Sequence, residues 1–135
     1  MFVKEYMTKT PIVLSTKDDV KDAFALLLEN RIRQAPVLEN GELTGIVTDR
    51  DLRMAMVQNL KVNNLTVGLV MTKDPVTVTG DTKITDAGKI ISIGKFNAIP
   101  VIEKSGQLIG IITTTDILNY FIEQMEDEYE NLIST

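Results

Sequence analysis

Two stretches of the sequence bring an alcohol, an acid and the start of a helix together: Gly45-Ile46-Val47-Thr48-Asp49-Arg50-Asp51 and Gly110-Ile111-Ile112-Thr113-Thr114-Thr115-Asp116. In each, a short apolar run ends on Thr and an Asp follows three positions later. The spacing suits a strand that turns straight into a helix, with the Thr hydroxyl and the Asp carboxylate capping the first free N–H groups. It suits a ligand equally well. A helix N-terminus turns unpaired N–H groups and the positive end of its dipole toward a phosphate, and a carboxylate one turn in can accept both hydrogen bonds of a ribose diol. Thr would then orient phosphate and Asp would hold sugar.

Other chemistries are removed by composition. The chain has no Cys, His or Trp, so a thiol nucleophile, an imidazole base, a disulfide and a zinc site built on Cys or His are excluded. An enzyme would have to use carboxylates such as Asp49, Asp51 and Asp116 to hold Mg²⁺ for phosphate hydrolysis. No spacing gathers three acids, and Thr114 stands where the other copy has Asp49, so the expectation is a non-catalytic protein without a metal site. A net charge of −5 provides no basic footprint for a nucleic-acid backbone. No apolar run reaches the ~18 residues of a membrane span, and Met1 to Glu5 carries no export signal. A soluble, cytoplasmic protein is expected, and at 135 residues it can bury roughly two-thirds of its unfolded surface.

The two motifs belong to a repeat. A shift of 64 positions places Met7-Thr8-Lys9-Thr10-Pro11 on Met71-Thr72-Lys73-Asp74-Pro75, Asp22-Ala23 on Asp86-Ala87 and Pro36-Val37 on Pro100-Val101. Beyond Pro100 the shift becomes 65, which aligns Gly45 with Gly110 and Asp51 with Asp116. One residue has been inserted in a loop, between apolar runs that read as a β-hairpin in each copy. Asn40-Gly41 is a strong two-residue turn signal. Each copy opens on a short extended run (12–14; 76–78), followed by a helical pattern. Val20, Ala23, Phe24, Leu27 and Leu28 form one face behind a cap at Asp18 or Asp19, and Ile84, Ala87, Ile90 and Ile91 form the other. The hairpin and a second helix complete a β-α-β-β-α unit, present twice.

The predicted organisation is therefore copy one at 1–60, a link at 61–69 within a connecting stretch from about 54 to 68, copy two at 70–122, and an acidic helical tail at 123–135. The fold class is mixed α/β (α+β), with two βαββα repeats face to face about a pseudo-twofold axis, since two units are too few for a solenoid. Clefts between the copies are the expected ligand sites. Apolar stripes (Met54, Met56 and Leu60; Leu118, Phe121, Ile122, Met125 and Leu132) read as core or as a dimer face. The acidic run from Glu123 to Glu130 reads as a solvated face.

An M-T-x-x-P opening, a helix, an x-x-P-V strand and a G-h-h-T-x-x-D ending, in that order and twice, resemble the cystathionine-β-synthase (CBS) domain. Two in tandem resemble a Bateman module. The resemblance spans roughly Phe2 to Ile122 and is greatest to small stand-alone CBS pairs and to the CBS part of the acetoin-utilization protein B group.

The resemblance implies a disc-like regulatory module that binds AMP, ADP, ATP or an S-adenosyl compound, with no cofactor required. Its clefts are built crosswise. Carried over by position, the first uses Thr8, Ile12, Val13, Arg33, Gln34 and Ala35 with Thr113, Thr115 and Asp116. The second uses Thr72, Val76, Thr77, Asn97, Ala98 and Ile99 with Thr48, Arg50 and Asp51. Apolar residues would sandwich adenine, backbone groups beside the proline would read its edge, and Asp would hold the ribose. All arginines (Arg31, Arg33, Arg50 and Arg53) lie in copy one. Arg33 would serve the first cleft and Arg50 the second, so the clefts should differ in affinity. A homodimer and an unidentified regulated enzyme or transporter acting in trans are implied, with no nucleic-acid partner and no membrane insertion. The alternatives are an S-adenosylmethionine sensor and a ligand-free interaction or dimerisation module.

Overall fold

The computed structural model describes residues 1–59 and 64–134. Copy one runs α1 (Val3–Tyr6), β1 (Thr8–Lys9), β2 (Leu14–Ser15), α2 (Val20–Glu29), β3 (Gln34–Glu39), β4 (Glu42–Thr48) and α3 (Asp49–Gln58). Copy two repeats the order as α4 (Val67–Val70), β5 (Thr72–Lys73), β6 (Val78–Thr79), α5 (Ile84–Gly94), β7 (Ala98–Ile102), β8 (Leu108–Thr113) and α6 (Thr114–Ile133). The expected βαββα unit is present, preceded in each copy by a single-turn helix and a two-residue strand that the sequence pattern did not reveal. Such short elements bury too few residues to leave a periodicity. Two boundaries also move. The strands after the prolines begin at Leu14 and Val78, and the stretch from 54, read as connecting chain, continues α3 to Gln58. Leu60 lies outside the described residues.

The strands form two four-stranded sheets, ordered β2-β3-β4-β5 and β1-β8-β7-β6. Each sheet takes its last strand from the other copy: Thr72 lies opposite Ile46 on β4, and Thr8 opposite Ile111 on β8. Glycine permits this exchange. A Cβ on Gly45 would stand 2.5 Å from Met71 Sδ and 2.8 Å from the Thr72 carbonyl oxygen, and one on Gly110 would stand 2.7 Å from Met7 Sδ and 2.8 Å from that of Thr8. Only a residue without a side chain lets the neighbouring backbone approach so closely.

Each sheet is backed by helices from its own copy, with a core between them. One core holds Leu27, Val37, Val47 and Leu52, and the other Ile84, Ile99, Val101 and Ile112. The exchange reaches these cores too. Val67 of α4 is fully buried in the first and Val3 of α1 in the second, each burial contributing roughly 1.5–3 kcal/mol. Neither copy has a complete core alone.

The hairpins confirm the turn chemistry. Asn40 (φ 51°) and Gly41 (φ 82°) are both left-handed, as a two-residue turn with the strands' right-handed twist demands. The inserted residue of copy two lies in the longer β7–β8 loop, where Gly106 (φ 92°) donates its N–H to the Glu103 carbonyl at 2.8 Å. Asp19, rather than Asp18, caps α2, accepting from the N–H groups of Lys21 and Asp22. Among the described residues no helix is long and apolar enough to cross a membrane.

Candidate functional site

Both T-x-x-D motifs fold as capping boxes. Thr48 Oγ1 accepts from the Asp51 N–H at 3.0 Å while Asp51 Oδ2 accepts from the Thr48 N–H at 3.1 Å. The equivalent distances for Thr113 and Asp116 are 3.2 and 2.9 Å. The remaining amides of the first turn of α3 are also engaged: Asp49 N–H donates to the Arg33 carbonyl at 2.7 Å, and Arg50 N–H to Asp49 Oδ1 at 2.8 Å. At α6 the Thr114 N–H donates to the Asn97 carbonyl at 3.0 Å. The expectation of unpaired amides is therefore corrected for α3, whose first three N–H groups all have partners. The dipole of the helix remains, the Thr hydroxyls keep a proton to donate, and each Asp keeps a second carboxylate oxygen.

These helix starts open onto depressions between the copies. The first, of about 600 Å³, is lined by Thr8, Arg33, Gln34, Thr113, Thr115 and Asp116 of the expected set, together with Arg31, Ile32, Asn97 and Thr114. Ile12, Val13 and Ala35 do not line it, and the Ala35 side chain is committed to a core. The second, of about 320 Å³, is lined by Thr48, Asp51, Thr72, Val76, Asn97 and Ala98 as expected. It adds Ile46, Asp74, Pro75, Lys95, Phe96 and Pro100, together with Gln34, which was expected in the first cleft alone. Thr77 and Ile99 do not line it, Ile99 being core, and Arg50 lines an adjoining depression of about 430 Å³ with Arg33, Asp49 and Arg53. That depression shares Gln34, Thr48 and Asn97 with the second cleft and Arg33, Gln34 and Asn97 with the first.

The crosswise construction follows from the exchange: Thr8, beside β8, faces the start of α6, and Thr72, beside β4, faces the start of α3. A matched backbone device shapes the opposite wall. Arg31 (φ 54°) and Lys95 (φ 57°) turn left-handed where α2 and α5 end, which redirects the chain into β3 and β7. Sequence reasoning noted Arg31 among the arginines of copy one but assigned neither it nor Ile32, Lys95 and Phe96 to a cleft, although they immediately precede residues it singled out. Arg53 was legible as the residue one turn beyond Arg50 on the same helix.

Beside the first cleft, Tyr6 of α1 donates its hydroxyl to Glu123 Oε2 at 2.6 Å and meets Tyr120 edge to face at 5.2 Å. The hydrogen bond to Glu123 is the main cause holding the Tyr6 phenol up at about 12.

The family model for the CBS domain matches residues 3–58 and 67–123. An uncharacterized protein of Methanocaldococcus jannaschii is 37% identical over 98% of the chain, which spans about half (49%) of that protein. A CBS domain-containing protein of Dictyostelium discoideum is 30% identical over 93% of the chain and 94% of its own length. Among solved structures, CBSX2 (Arabidopsis thaliana) in complex with AMP superimposes with a TM-score of 0.81 at 30% identity, covering 92% of this chain and 98% of that one. The CBS pair of protein MJ0100 with 5′-methylthioadenosine and S-adenosyl-L-methionine gives 0.83 at 26% over the same shares. An acetoin utilization protein (AcuB) of Vibrio cholerae gives 0.86 at 28%, covering 96% and 97%.

Proposed function

The chain belongs to the CBS-domain family, and from that premise we propose that it is a regulatory module that binds an adenine nucleotide in its two clefts and acts on a separate enzyme or transporter. One observation carries the reading. Twice in one molecule, an Asp held at a helix start by a capping box lines a cavity whose other wall comes from the opposite copy. In the second cleft Ile46, Val76 and Phe96 supply apolar surface for a purine, and Asp51 supplies a carboxylate for the ribose diol. Asp116 takes the same part in the first. The AMP complex of CBSX2 supports the nucleotide, and the Dictyostelium protein, matched over nearly its whole length, supports action in trans.

A second reading, a sensor of S-adenosylmethionine, is favoured by the MJ0100 complex. The choice is made by calorimetric titration of the protein and of Asp51→Asn and Asp116→Asn with AMP, ADP, ATP and S-adenosylmethionine. Asn keeps an oxygen for the cap while removing the charge that holds the diol. Loss of one cleft per variant, with the nucleotides bound more tightly than S-adenosylmethionine, is the expected result. No binding to any of the four would leave the motifs as helix caps in a ligand-free interaction module.

We also propose that the module works as a homodimer. Leu118, Phe121, Ile122 and Met125 expose 43–69% of their surface along α6, an apolar face that a second copy would cover. A monomer by sedimentation velocity at micromolar concentration would contradict this.

A further inference from the structure

Resting on the reading of action in trans above, we propose that the last turns of α6 are a docking surface for a basic amphipathic helix of the regulated partner. α6 outlasts its counterpart: α3 ends at Gln58, which matches Glu123, whereas α6 continues to Ile133. The fold is complete before this extension begins. Ile117 and Tyr120 pack α6 onto the second core and the Tyr6 hydroxyl holds Glu123, but every residue from Met125 to Ser134 is exposed. The extension keeps an apolar seam all the same. Ile122, Met125, Tyr129 and Leu132 recur at alternating intervals of three and four, the spacing of a helix laid along another helix. Met125, Tyr129 and Ile133 expose 69%, 64% and 65% of their surface.

The charge around the seam selects its occupant. Glu123, Glu126, Asp127, Glu128 and Glu130 lie in this stretch with no Lys or Arg, leaving 14 of the 19 acids to balance the 14 bases elsewhere, so the whole net charge of −5 resides here. These acids work against their own helix. Glu123 and Asp127 are four positions apart, as are Glu126 and Glu130, a spacing at which like charges repel. The last turn has no base to meet the negative end of the helix dipole. By helical spacing Glu126 and Glu128 border the seam on either side, and the other acids lie behind it. A second copy of the extension would bring five more acids alongside. The dimer face proposed above therefore belongs to the earlier turns, where the neighbours of Leu118 and Phe121 include the uncharged Asn119 and Gln124. A partner helix with Lys or Arg beside its apolar stripe neutralises the acids that border the seam and covers the seam in the same step.

The probe is a synthetic helix of about three heptads with Leu at the seam positions and Lys at the flanking ones. A scrambled peptide of the same composition and a Glu-flanked peptide serve as controls. Fluorescence anisotropy titrations compare the full chain with Tyr129→Gln/Ile133→Gln, which keeps good helix formers at exposed positions beyond the dimer face, and with Glu126→Gln/Glu128→Gln. Micromolar binding of the Lys peptide is expected, about tenfold or more tighter than either control and weakening with salt. Tyr129→Gln/Ile133→Gln should lose about tenfold, the scale of one buried apolar side chain, and Glu126→Gln/Glu128→Gln should flatten the salt dependence. Sedimentation velocity of Tyr129→Gln/Ile133→Gln should match the parent protein. No binding of the Lys peptide, equal binding of the scrambled one, or binding that survives both double variants would overturn the proposal. So would dissociation of a homodimer by Tyr129→Gln/Ile133→Gln, which would make a second copy the occupant. Titration of the same proteins with AMP keeps the two readings apart: AMP binding without peptide binding removes this surface and leaves the nucleotide module standing, and peptide binding by a protein that takes no adenine compound does the reverse.

Discussion

The two clefts share one backbone and differ in the side chains set upon it. Thr48 and Asp51 bond as Thr113 and Asp116 do, and Gly45 and Gly110 admit the exchanged strands at nearly the same distances. Thr10 and Asp74 (φ 45° and 50°) turn left-handed at matching places, as Arg31 and Lys95 do. The positions that shape the chain around the two clefts are thus duplicated, while the hairpin loops away from them differ in length. Exposed positions beside the clefts have diverged: Arg50 against Thr115 and Arg53 against Leu118. Duplication preserves what the fold requires, and ligand selectivity is free to separate on top of it.

Asp51→Asn and Asp116→Asn apply the same change to both halves and should have the largest effects. Each is expected to weaken nucleotide binding at its own cleft by about 10- to 100-fold, the scale of hydrogen bonds to a charged acceptor. Effects of equal size would mean that the ribose is held alike in both clefts. Arg33→Ala should act differently. Arg33 lines the first cleft and also the depression beside the second, so its loss should weaken both, by roughly tenfold each. A loss confined to the first cleft would separate the two sites and assign Arg33 as the sequence alone did. Both experiments read out as the two-site isotherm of one titration.

The repeat, the turn and the caps were legible because each rests on local chemistry. Asn40-Gly41 can hardly be anything but a tight turn, and a Thr with an Asp three residues on can satisfy its own amides without help from elsewhere. The exchange of α1 with α4 and of β1 with β5 was not legible from periodicity. These elements owe their existence to partners ~25–100 residues distant in the chain, and a two-residue strand carries no alternation. The expectation of crosswise clefts came from the family resemblance, and the strand order shows its physical basis. The fate of the α3 amides was hidden for a related reason. The Arg33 carbonyl that occupies the Asp49 N–H arrives only when β3 pairs with β4, a tertiary event.

One further contrast sets the halves apart and should give the smallest effect. Tyr6 binds Glu123 in the half that holds the first cleft, and the equivalent positions of the other half are Val70 and Gln58. The hydroxyl donates to a carboxylate, which favours the protonated phenol and lifts its pKa from 10.0 to about 12. Because the folded value lies above the unfolded one, the stabilisation is fully present below pH 10 and is lost as pH rises through about 12. Neutral and acidic solutions below the phenol's own range leave the phenol itself unchanged. An ultraviolet absorbance titration, with Tyr6→Phe to assign the signal, should show Tyr6 ionising near 12 in the native protein and closer to 10 in Glu123→Gln. The group is at the surface, so the change in overall stability should be small. If Glu123→Gln left the Tyr6 titration unmoved, the clip between α1 and α6 would not form in solution, and the two halves would be more alike than their side chains indicate.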